Sequence, residues 1–333
     1  MRGSRALPRR ILASDHAILL FAAAYFLALW CITPGLGSSE NLRNIFTSML
    51  PLLVLAVGQT FVLITGGIDL SVTAAIPLAS VVGGSIMAGD VGLLGGSALA
   101  APVALGAMLA VGAGSGLVNG AVIACTRMPA FIVTLTTQMF LGGLAVWYAN
   151  WYAGRVDFHD LPSGFSNIAQ GRIFNVVPTA LVAVTLLAVA AHLTLARTVL
   201  GRWLHAVGGN AKAAAICGVP VRATVIAAYI ASGLCAAAAS ILYTGRLETA
   251  SASHGQRVLL DVIAAAVMGG TSLFGGRGSV RGTLFGVLFI TILDNTLSFR
   301  GLSNFSVLMV KGAVILAAAV LDAARARLAE RSV

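Results

Sequence analysis

The sequence predicts an all-α, polytopic membrane helix bundle of about ten transmembrane helices, some of them broken or half-length, with both termini in the cytoplasm. Three observations predict this class. Hydrophobic residues form 58% of the 333 residues and charged residues 10%, against about 45–50% and about 25% in soluble domains. Ten apolar runs follow one another along the chain, and basic residues collect on alternate sides of them. We therefore expect residues 1–333 to form a single transmembrane domain.

Each apolar run is a candidate span, because about 20 mostly apolar residues cross the hydrocarbon core. The first run follows a basic N-terminal segment, as in a signal peptide, but it is long and lacks a cleavage-site pattern, so we expect a first span. The runs at 72–88 and 259–274 are short enough to be half-helices. The ten expected spans are 17–33, 48–65, 72–88, 96–124, 131–149, 176–196, 223–243, 259–274, 283–299 and 305–321.

The distribution of basic residues supports this count. With the N-terminus in the cytoplasm, fourteen of the 21 Lys and Arg residues fall inside and six outside, as the positive-inside rule expects. The inside residues are Arg2, Arg5, Arg9, Arg10, Arg127, Arg197, Arg202, Lys212, Arg222, Arg277, Arg281, Arg325, Arg327 and Arg331. The outside residues are Arg43, Arg155, Arg172, Arg246, Arg257 and Arg300. The net charge of +10 is therefore interpreted as orientation in a lipid bilayer and not as nucleic-acid binding.

No pattern in the sequence is typical of a catalytic, metal or cofactor site. The five histidines lack the i+4 partner of a helical metal site, and the four cysteines are far apart, as small packing residues are. No Ser/His/Asp cluster is recognisable. Neither lysine follows the glycine pattern of a phosphate-binding loop, so we expect that this chain does not hold ATP by itself.

Asp69 is the first polar candidate within the apolar runs. It lies in ITGGIDLSVTAAIP, where Gly66 and Gly67 interrupt the run. Its carboxylate can cap the next helix, with Ser71 and Thr73 nearby. Alternatively the break lines a solute path, and the two roles are compatible because broken membrane helices occur where backbone meets protein or a water-filled cavity. The segment MGGTSLF (268–274) weakly resembles TGGIDLS (65–71), which hints at an internal repeat.

Asp294 and Asn295 form the second polar candidate, in LFITILDNTLSF. A carboxylate and an amide in an apolar helix are either interhelical hydrogen-bond partners or pathway groups. Lys311 can pair with Asp294 or lie near the outer end of the last span. Asp261 opens the eighth span, where a cap or a contact with Arg257 would satisfy it.

The segment 197–222 reads RTVLGRWLHAVGGNAKAAAICGVPVR and carries basic residues but no acid. Asn210 is a good helix N-cap, AKAAAIC favours a helix, and Gly218 and Pro220 are placed to end it. We expect a cytoplasmic helix of about seven or eight residues, too short to be stable alone. It either lies on the lipid headgroups or docks on a cytoplasmic partner.

Several motifs together resemble the permease subunits of bacterial ABC importers for ribose, xylose, arabinose, galactose and related solutes. They follow in order from about residue 40 to the end. The matching segments are ITGGIDLSV (64–72), MPAFIVTL (128–135), GRWLHAVGGNAKAAAICGV (201–219), DVIAAAVMGGTSLFGGRGSVRGTLFGVL (261–288) and LDNTLSFRGLSNFSVLMVKGAVILAAAVLD (293–322).

This resemblance implies a transport subunit of the inner membrane with no catalytic residue or cofactor of its own. Its partners would be ABC ATPase subunits that hydrolyse ATP, a periplasmic substrate-binding protein, and a second permease copy or paralogue. The resemblance assigns ATPase coupling to Gly201, Arg202, Gly208, Gly209, Asn210, Ala213, Ala214 and Gly218. The pathway or helix-break candidates are Gly66, Gly67, Asp69, Ser71, Thr271, Ser272, Asp294 and Asn295.

Two other functions remain as alternatives. In an ion-coupled secondary transporter, Asp69 and Asp294 would be proton or sodium sites and the break at Gly66 and Gly67 a binding locus. An intramembrane enzyme is disfavoured, because no acid/base or nucleophile constellation is present. For the resembled permease, we expect Gly208→Asp and Ala214→Arg to uncouple ATP hydrolysis from uptake without preventing insertion, on the assumption that these small residues face the ATPase.

Overall fold

The computed structural model describes residues 16–255 and 258–330, and most of these residues are helical. The expectations for Arg2, Arg5, Arg9, Arg10, Arg257 and Arg331 lie outside the described residues. The helices are α1 His16–Trp30, α2 Ser39–Ile64, α3 Val72–Met87, α4 Ala100–Thr126, α5 Ala130–Ala153, α6 Ser163–Gln170, α7 Thr179–Arg197, α8 Val199–Ile216, α9 Val221–Leu247, α10 Leu259–Met268, α11 Val280–Phe299 and α12 Asn304–Glu330. The strands are β1 Asp157–Phe158, β2 Arg172–Ile173, β3 Val177–Pro178 and β4 Ala250–Ser251.

The predicted all-α membrane bundle is confirmed. Six helices are long and apolar enough to cross a membrane, namely α2, α4, α5, α7, α9 and α11. Shorter apolar segments lie in α1, α3, α10 and α12, so each of the ten apolar runs of the sequence contains one helix. The two runs that were short in sequence become α3, with 16 residues, and α10, with 10.

Helix α2 begins nine residues before the apolar run that predicts it. Ser38 caps the helix by accepting a hydrogen bond from the Asn41 amide at 3.3 Å, and Glu40 lies in the first turn. These polar residues favour the start of a helix but lower the local hydropathy. A search for apolar runs therefore finds the buried part of α2 and misses its first two turns.

The centre of the bundle contains α2, α3 and the buried side of α9. From Met49 to Ile64, α2 is buried along its whole circumference, as expected for a helix surrounded by others. The largest helix–helix contact joins α4 to α9. A Cβ atom added to Gly112 would lie 2.2 Å from the Gly233 carbonyl oxygen, and one added to Gly233 would lie 2.0 Å from that of Gly112. The two backbones therefore touch directly, as small residues allow in membranes.

Two groups of loops mark two ends of the bundle. At the junction end, backbone atoms of Ile64, Gly208 and Gly276 are in contact. At the hairpin end, β1 pairs with β4 and β2 with β3, both antiparallel. The sequence analysis did not predict the two strand pairs, because two-residue strands leave no periodic pattern. It did not predict the short helix α6 either.

An exposed ion pair between Asp90 and Arg155 also lies at the hairpin end. The hydrogen bond from the Arg155 guanidinium holds the pKa of the Asp90 carboxyl below its ordinary value. Because both groups are exposed to solvent, the pair contributes little to stability.

Candidate functional site

The first helix break, residues 65–71, connects α2 to α3 and is tied to its surroundings by Asp69. This side chain is buried, with 1% exposure. One carboxylate oxygen accepts hydrogen bonds from the Ser71 amide at 3.0 Å and the Ser71 hydroxyl at 2.6 Å. The other accepts one from the Ser232 hydroxyl of α9 at 2.8 Å. The predicted capping role needs correction: the N-cap residue of α3 is Ser71, no side chain caps the first turn, and the Asp69 carboxylate binds the Ser71 amide just before the helix.

Three further polar side chains hold the first break. Asn119 of α4 donates to the Ser71 hydroxyl at 2.7 Å, and Thr134 of α5 donates to the Ile68 carbonyl at 3.0 Å. With its amide oriented to match its neighbours, Gln59 of α2 bonds both the N–H and the C=O of Asp69 at 3.1 Å. Four helices therefore converge on this break through side-chain hydrogen bonds.

The sequence prediction named Asp69 and Ser71 but missed the other members of this network. A signal did exist, since Gln59, Asn119 and Ser232 are polar residues within apolar runs, where such groups need partners. Gly67 is explained by the same packing. A Cβ atom there would lie 2.4 Å from the Tyr229 hydroxyl oxygen, a buried group with no hydrogen-bond partner among the described residues.

The second helix break, residues 269–279, connects α10 to α11 and contains the predicted Thr271 and Ser272. Gly270, Gly275 and Gly276 have positive φ angles of 86°, 88° and 77°. The Ser272 amide donates to the Arg277 carbonyl at 3.0 Å, which closes the loop on itself. The Thr271 hydroxyl is buried and has no partner among the described residues. Both segments of the weak internal repeat therefore occupy breaks between consecutive helices.

The two breaks meet α8 at a glycine junction, defined here as Ile64, Gly66, Gly208, Gly275 and Gly276. The Gly276 amide donates to the Ile64 carbonyl at 2.8 Å. A Cβ atom added to Gly208 would lie 1.7 Å from the Ile64 oxygen and 2.5 Å from the Gly276 nitrogen. One added to Gly275 would lie 3.0 Å from the Gly66 nitrogen. Three chain segments thus touch through backbone atoms, with no room for a side chain at Gly208.

The segment 197–222 forms a kinked helix with the predicted caps. Helix α8 leaves helical geometry at Asn210, with φ −161° and ψ 100°, and the Asn210 side-chain oxygen accepts a hydrogen bond from the Ala213 amide at 3.0 Å. Gly218 has a φ of 82°, and the Val219 amide bonds the Ala214 carbonyl at 3.0 Å. The predicted start at Asn210 and end at Gly218 thus agree with the structure.

The first half of α8 is also helical, which the sequence prediction missed. Thr198 accepts a hydrogen bond from the Gly201 amide at 3.3 Å and so caps this half. Leu204 and Val207 are buried, so tertiary packing supports the turns before Asn210. His205 reaches the Gly278 carbonyl of the second break at 3.3 Å.

Two expectations about the orientation of this segment need correction. Ala214 is buried, and Gly208 lies in the glycine junction, so both face the chain itself and not a partner. Gly201 is likewise buried. The outward surface includes Arg202, Ala206, Gly209, Asn210, Ala211, Lys212, Ala213, Ala215, Ile216, Cys217 and Gly218. Ile216 is 87% exposed, an unusual state for an isoleucine on a helix.

Asp294 and Asn295 bind other helices, and the structure places them in a different set of contacts from Asp69. Lys311 of α12 lies 2.5 Å from an oxygen of Asp294 in α11 and 3.0 Å from one of Asp261 in α10. The Asn295 amide forms a reciprocal pair with Asn41 of α2, at 2.9 and 3.0 Å. Asp261 therefore pairs with Lys311 and not, within the described residues, with an arginine. No cluster of potential metal ligands occurs in the part of the chain that the structure describes.

The fold is that of a multi-pass helical membrane protein with two helix breaks and a capped helix between two apolar helices. Residues 41–319 match the family described as the permease component of the branched-chain amino acid transport system. The chain belongs to this family. It is therefore a multi-pass protein of the bacterial cytoplasmic membrane.

The curated relatives include import permeases for sugars. The chain is 37% identical over 291 residues to the ribose import permease protein RbsC of Escherichia coli K12, covering 87% of this chain and 88% of that one. Identity to RbsC of Bacillus subtilis 168 is 37% over 292 residues, with 87% of each chain covered. Identity to the galactose/methyl galactoside import permease protein MglC of E. coli K12 is 32% over 317 residues, with 92% and 90% covered. No solved structure matches.

Proposed function

We propose that this chain is the permease subunit of an ABC importer that moves a monosaccharide or related polyol inward by alternating access. The relatives named for ribose and galactose import support the substrate class. The ten apolar helices are proposed to cross the membrane ten times, with both termini in the cytoplasm. The arrangement of basic residues supports this orientation, which places the junction end inside and the hairpin end outside.

The proposed partners follow from this orientation. Two ATPase subunits bind at the segment 197–222, and a periplasmic binding protein delivers the solute to the hairpin end. A second permease copy or paralogue completes the pathway. Ile216 and Cys217 form the exposed tip of the capped helix. A protruding apolar side chain on a short, rigid helix is suited to a pocket on a protein partner, and this favours docking over the lipid-surface alternative.

The glycine junction is the observation that carries the proposed coupling. Gly208 of α8 contacts the end of α2 and the second break through backbone atoms alone. Packed protein interiors are nearly incompressible, so a displacement of α8 moves its neighbours instead of being absorbed between them. Motion of the ATPase is thereby transmitted to α2 and to the loop that joins α10 to α11.

An ion-coupled transporter is less consistent with these contacts. Asp69 already accepts three hydrogen bonds from Ser71 and Ser232. Asp294 is paired with Lys311. A proton or sodium site would need carboxylate oxygens free to exchange their partners during transport.

The experiment that tests the proposal is uptake in proteoliposomes. The permease is reconstituted with the ATPase and the binding protein encoded beside it, and labelled ribose or galactose is offered with ATP or with an ion gradient. We expect accumulation only with ATP, and a Walker-lysine variant of the ATPase serves as the control. Uptake driven by a gradient in the absence of the ATPase would contradict the proposal.

A further inference from the structure

The arginines at the hairpin end differ in their partners. Arg155 is paired with Asp90. Arg43, Arg172 and Arg246 instead line one cavity of about 840 Å³. Among the described residues, no carboxylate lies within ion-pair distance of these three guanidinium groups. Because Glu40 is the single acid in the lining, the cavity keeps an excess of two positive charges.

The cavity also has an apolar floor. Its wall runs along α2 from Glu40 to Pro51, a rise of about 16 Å at 1.5 Å per residue. Leu50 and Leu242 are buried at its inner part. The charged side chains come from the first turns of α2, the β2–β3 hairpin and the last turn of α9, so charge lies at the rim of the bundle and apolar surface toward its interior.

The concentration of arginine here runs against the general distribution of charge. The positive-inside bias disfavours Arg in short outer segments, yet three of the six arginines expected outside converge on this cavity. Like charges repel unless an anion compensates them. A neutral sugar would bring no such charge, and an acidic side chain of a protein partner would leave the apolar floor unfilled.

We propose that this cavity binds the phosphodiester headgroup of an anionic phospholipid of the outer leaflet, with acyl-chain carbons along the floor. Guanidinium groups match phosphate oxygens in geometry and charge. The proposal rests on the orientation given under the proposed function. The bound lipid fills the space between α2, α7 and α9 and fixes the β2–β3 hairpin over it.

Native mass spectrometry of the purified full-length permease tests this proposal. The protein is titrated with phosphatidylglycerol or with phosphatidylcholine of the same acyl chains, and bound lipids are counted. We expect selective retention of phosphatidylglycerol. Each of Arg43→Gln, Arg172→Gln and Arg246→Gln should lower its affinity about fivefold, and the triple variant about a hundredfold. Arg155→Gln removes a charge at the same end and should leave the affinity unchanged.

Three results would overturn the proposal. The first is equal retention of phosphatidylglycerol by the triple variant. The second is displacement of the lipid by sn-glycerol 3-phosphate at equal concentration, which would indicate a site for a soluble anion. The third, measured in a separate pull-down with the periplasmic binding protein, is a triple variant that loses the binding protein but keeps the lipid, which would indicate a protein-docking surface. The lipid titration itself contains no ATPase, binding protein or sugar, so a failure of the transport assignment does not change its result.

Discussion

The two helix breaks have the same place between consecutive helices but are held in opposite ways. Residues 65–71 are bound by side chains from α2, α4, α5 and α9, centred on the buried Asp69. Residues 269–279 are held mainly by backbone contacts at glycines, and the Thr271 hydroxyl has no partner among the described residues. We therefore propose that the first break is an anchor and that the second is the part that rearranges in the proposed motion of α8.

The largest expected effect is at the anchor. Asp69→Ala removes the acceptor of three hydrogen bonds and leaves the Ser71 amide and the Ser71 and Ser232 hydroxyl donors without this acceptor in a buried site. We expect a loss of about 3–5 kcal/mol in the free energy of unfolding, measured as a fall in thermal stability by fluorescence-detected size exclusion. Asp69→Asn keeps the shape of the side chain and one acceptor oxygen, so it should lower the free energy of unfolding by less. A native melting temperature for Asp69→Ala would show that the first break is not an anchor.

The next effect concerns the helices that flank the second break. Lys311→Met leaves Asp261 and Asp294 facing each other without their shared cation. We expect about 2 kcal/mol of destabilisation, less than for a fully buried pair because Asp294 is half exposed. The other lysine of the chain offers the control: Lys212→Met lies on the exposed part of α8 and should leave thermal stability unchanged. If both variants had the same thermal stability, the contacts of Lys311 with Asp261 and Asp294 would not hold α10 and α11 together.

The third effect separates coupling from stability at the glycine junction. Gly208→Ala forces a methyl group into the Ile64 carbonyl, whereas Gly209→Ala meets no atom within 4 Å. We expect Gly208→Ala to lower uptake about tenfold per ATP hydrolysed, and Gly209→Ala, which leaves the junction unchanged, to lower it less. The measurement compares ATPase rate and labelled-sugar uptake in the same proteoliposomes. If the two variants took up the same amount of sugar per ATP hydrolysed, the glycine junction would have no role in coupling.

The smallest effect is at Thr271. Thr271→Val replaces a buried hydroxyl that has no partner among the described residues by a methyl group of similar size. We expect a change within about 0.5 kcal/mol, with stabilisation the favoured sign, because an unsatisfied polar group is lost. Its thermal stability is compared with that of Thr134→Val, which removes the bond to Ile68 at the first break and should be less stable. If Thr271→Val and Thr134→Val lower the thermal stability by the same amount, then side-chain hydrogen bonds do not hold the first break more strongly than the second.

The sequence predicted those features that have a local cause. Apolar runs of suitable length located ten of the twelve described helices, and the polar and glycine residues at 66–69, 210 and 218 located a break, a cap and an end. The membrane permease class followed from these and from the family motifs.

Features with a distant cause could not be predicted in this way. Asp69 binds Ser232, 163 residues away, and Asn41 binds Asn295, 254 residues away. The orientation of Gly208 depends on the two helix breaks, which are distant from it in the sequence. The spacing of small residues shows that a surface is available for close packing but does not identify its partner, so the expected outward orientation of Gly208 and Ala214 was wrong.

The direct backbone contact between α4 and α9 has a consequence for biosynthesis. Gly112 and Gly233 are separated in the chain by four helices and their loops, yet each excludes a Cβ atom at the other. The ribosome therefore releases α4 into the bilayer well before its partner exists. Until α9 is synthesised, the face of α4 that carries Gly112 lacks its partner helix, and α2 lacks its contacts with α9, α10 and α11. The centre of this permease is completed by the second half of the chain, so nascent chains truncated before residue 221 should be recognised as unfinished by membrane quality-control proteases.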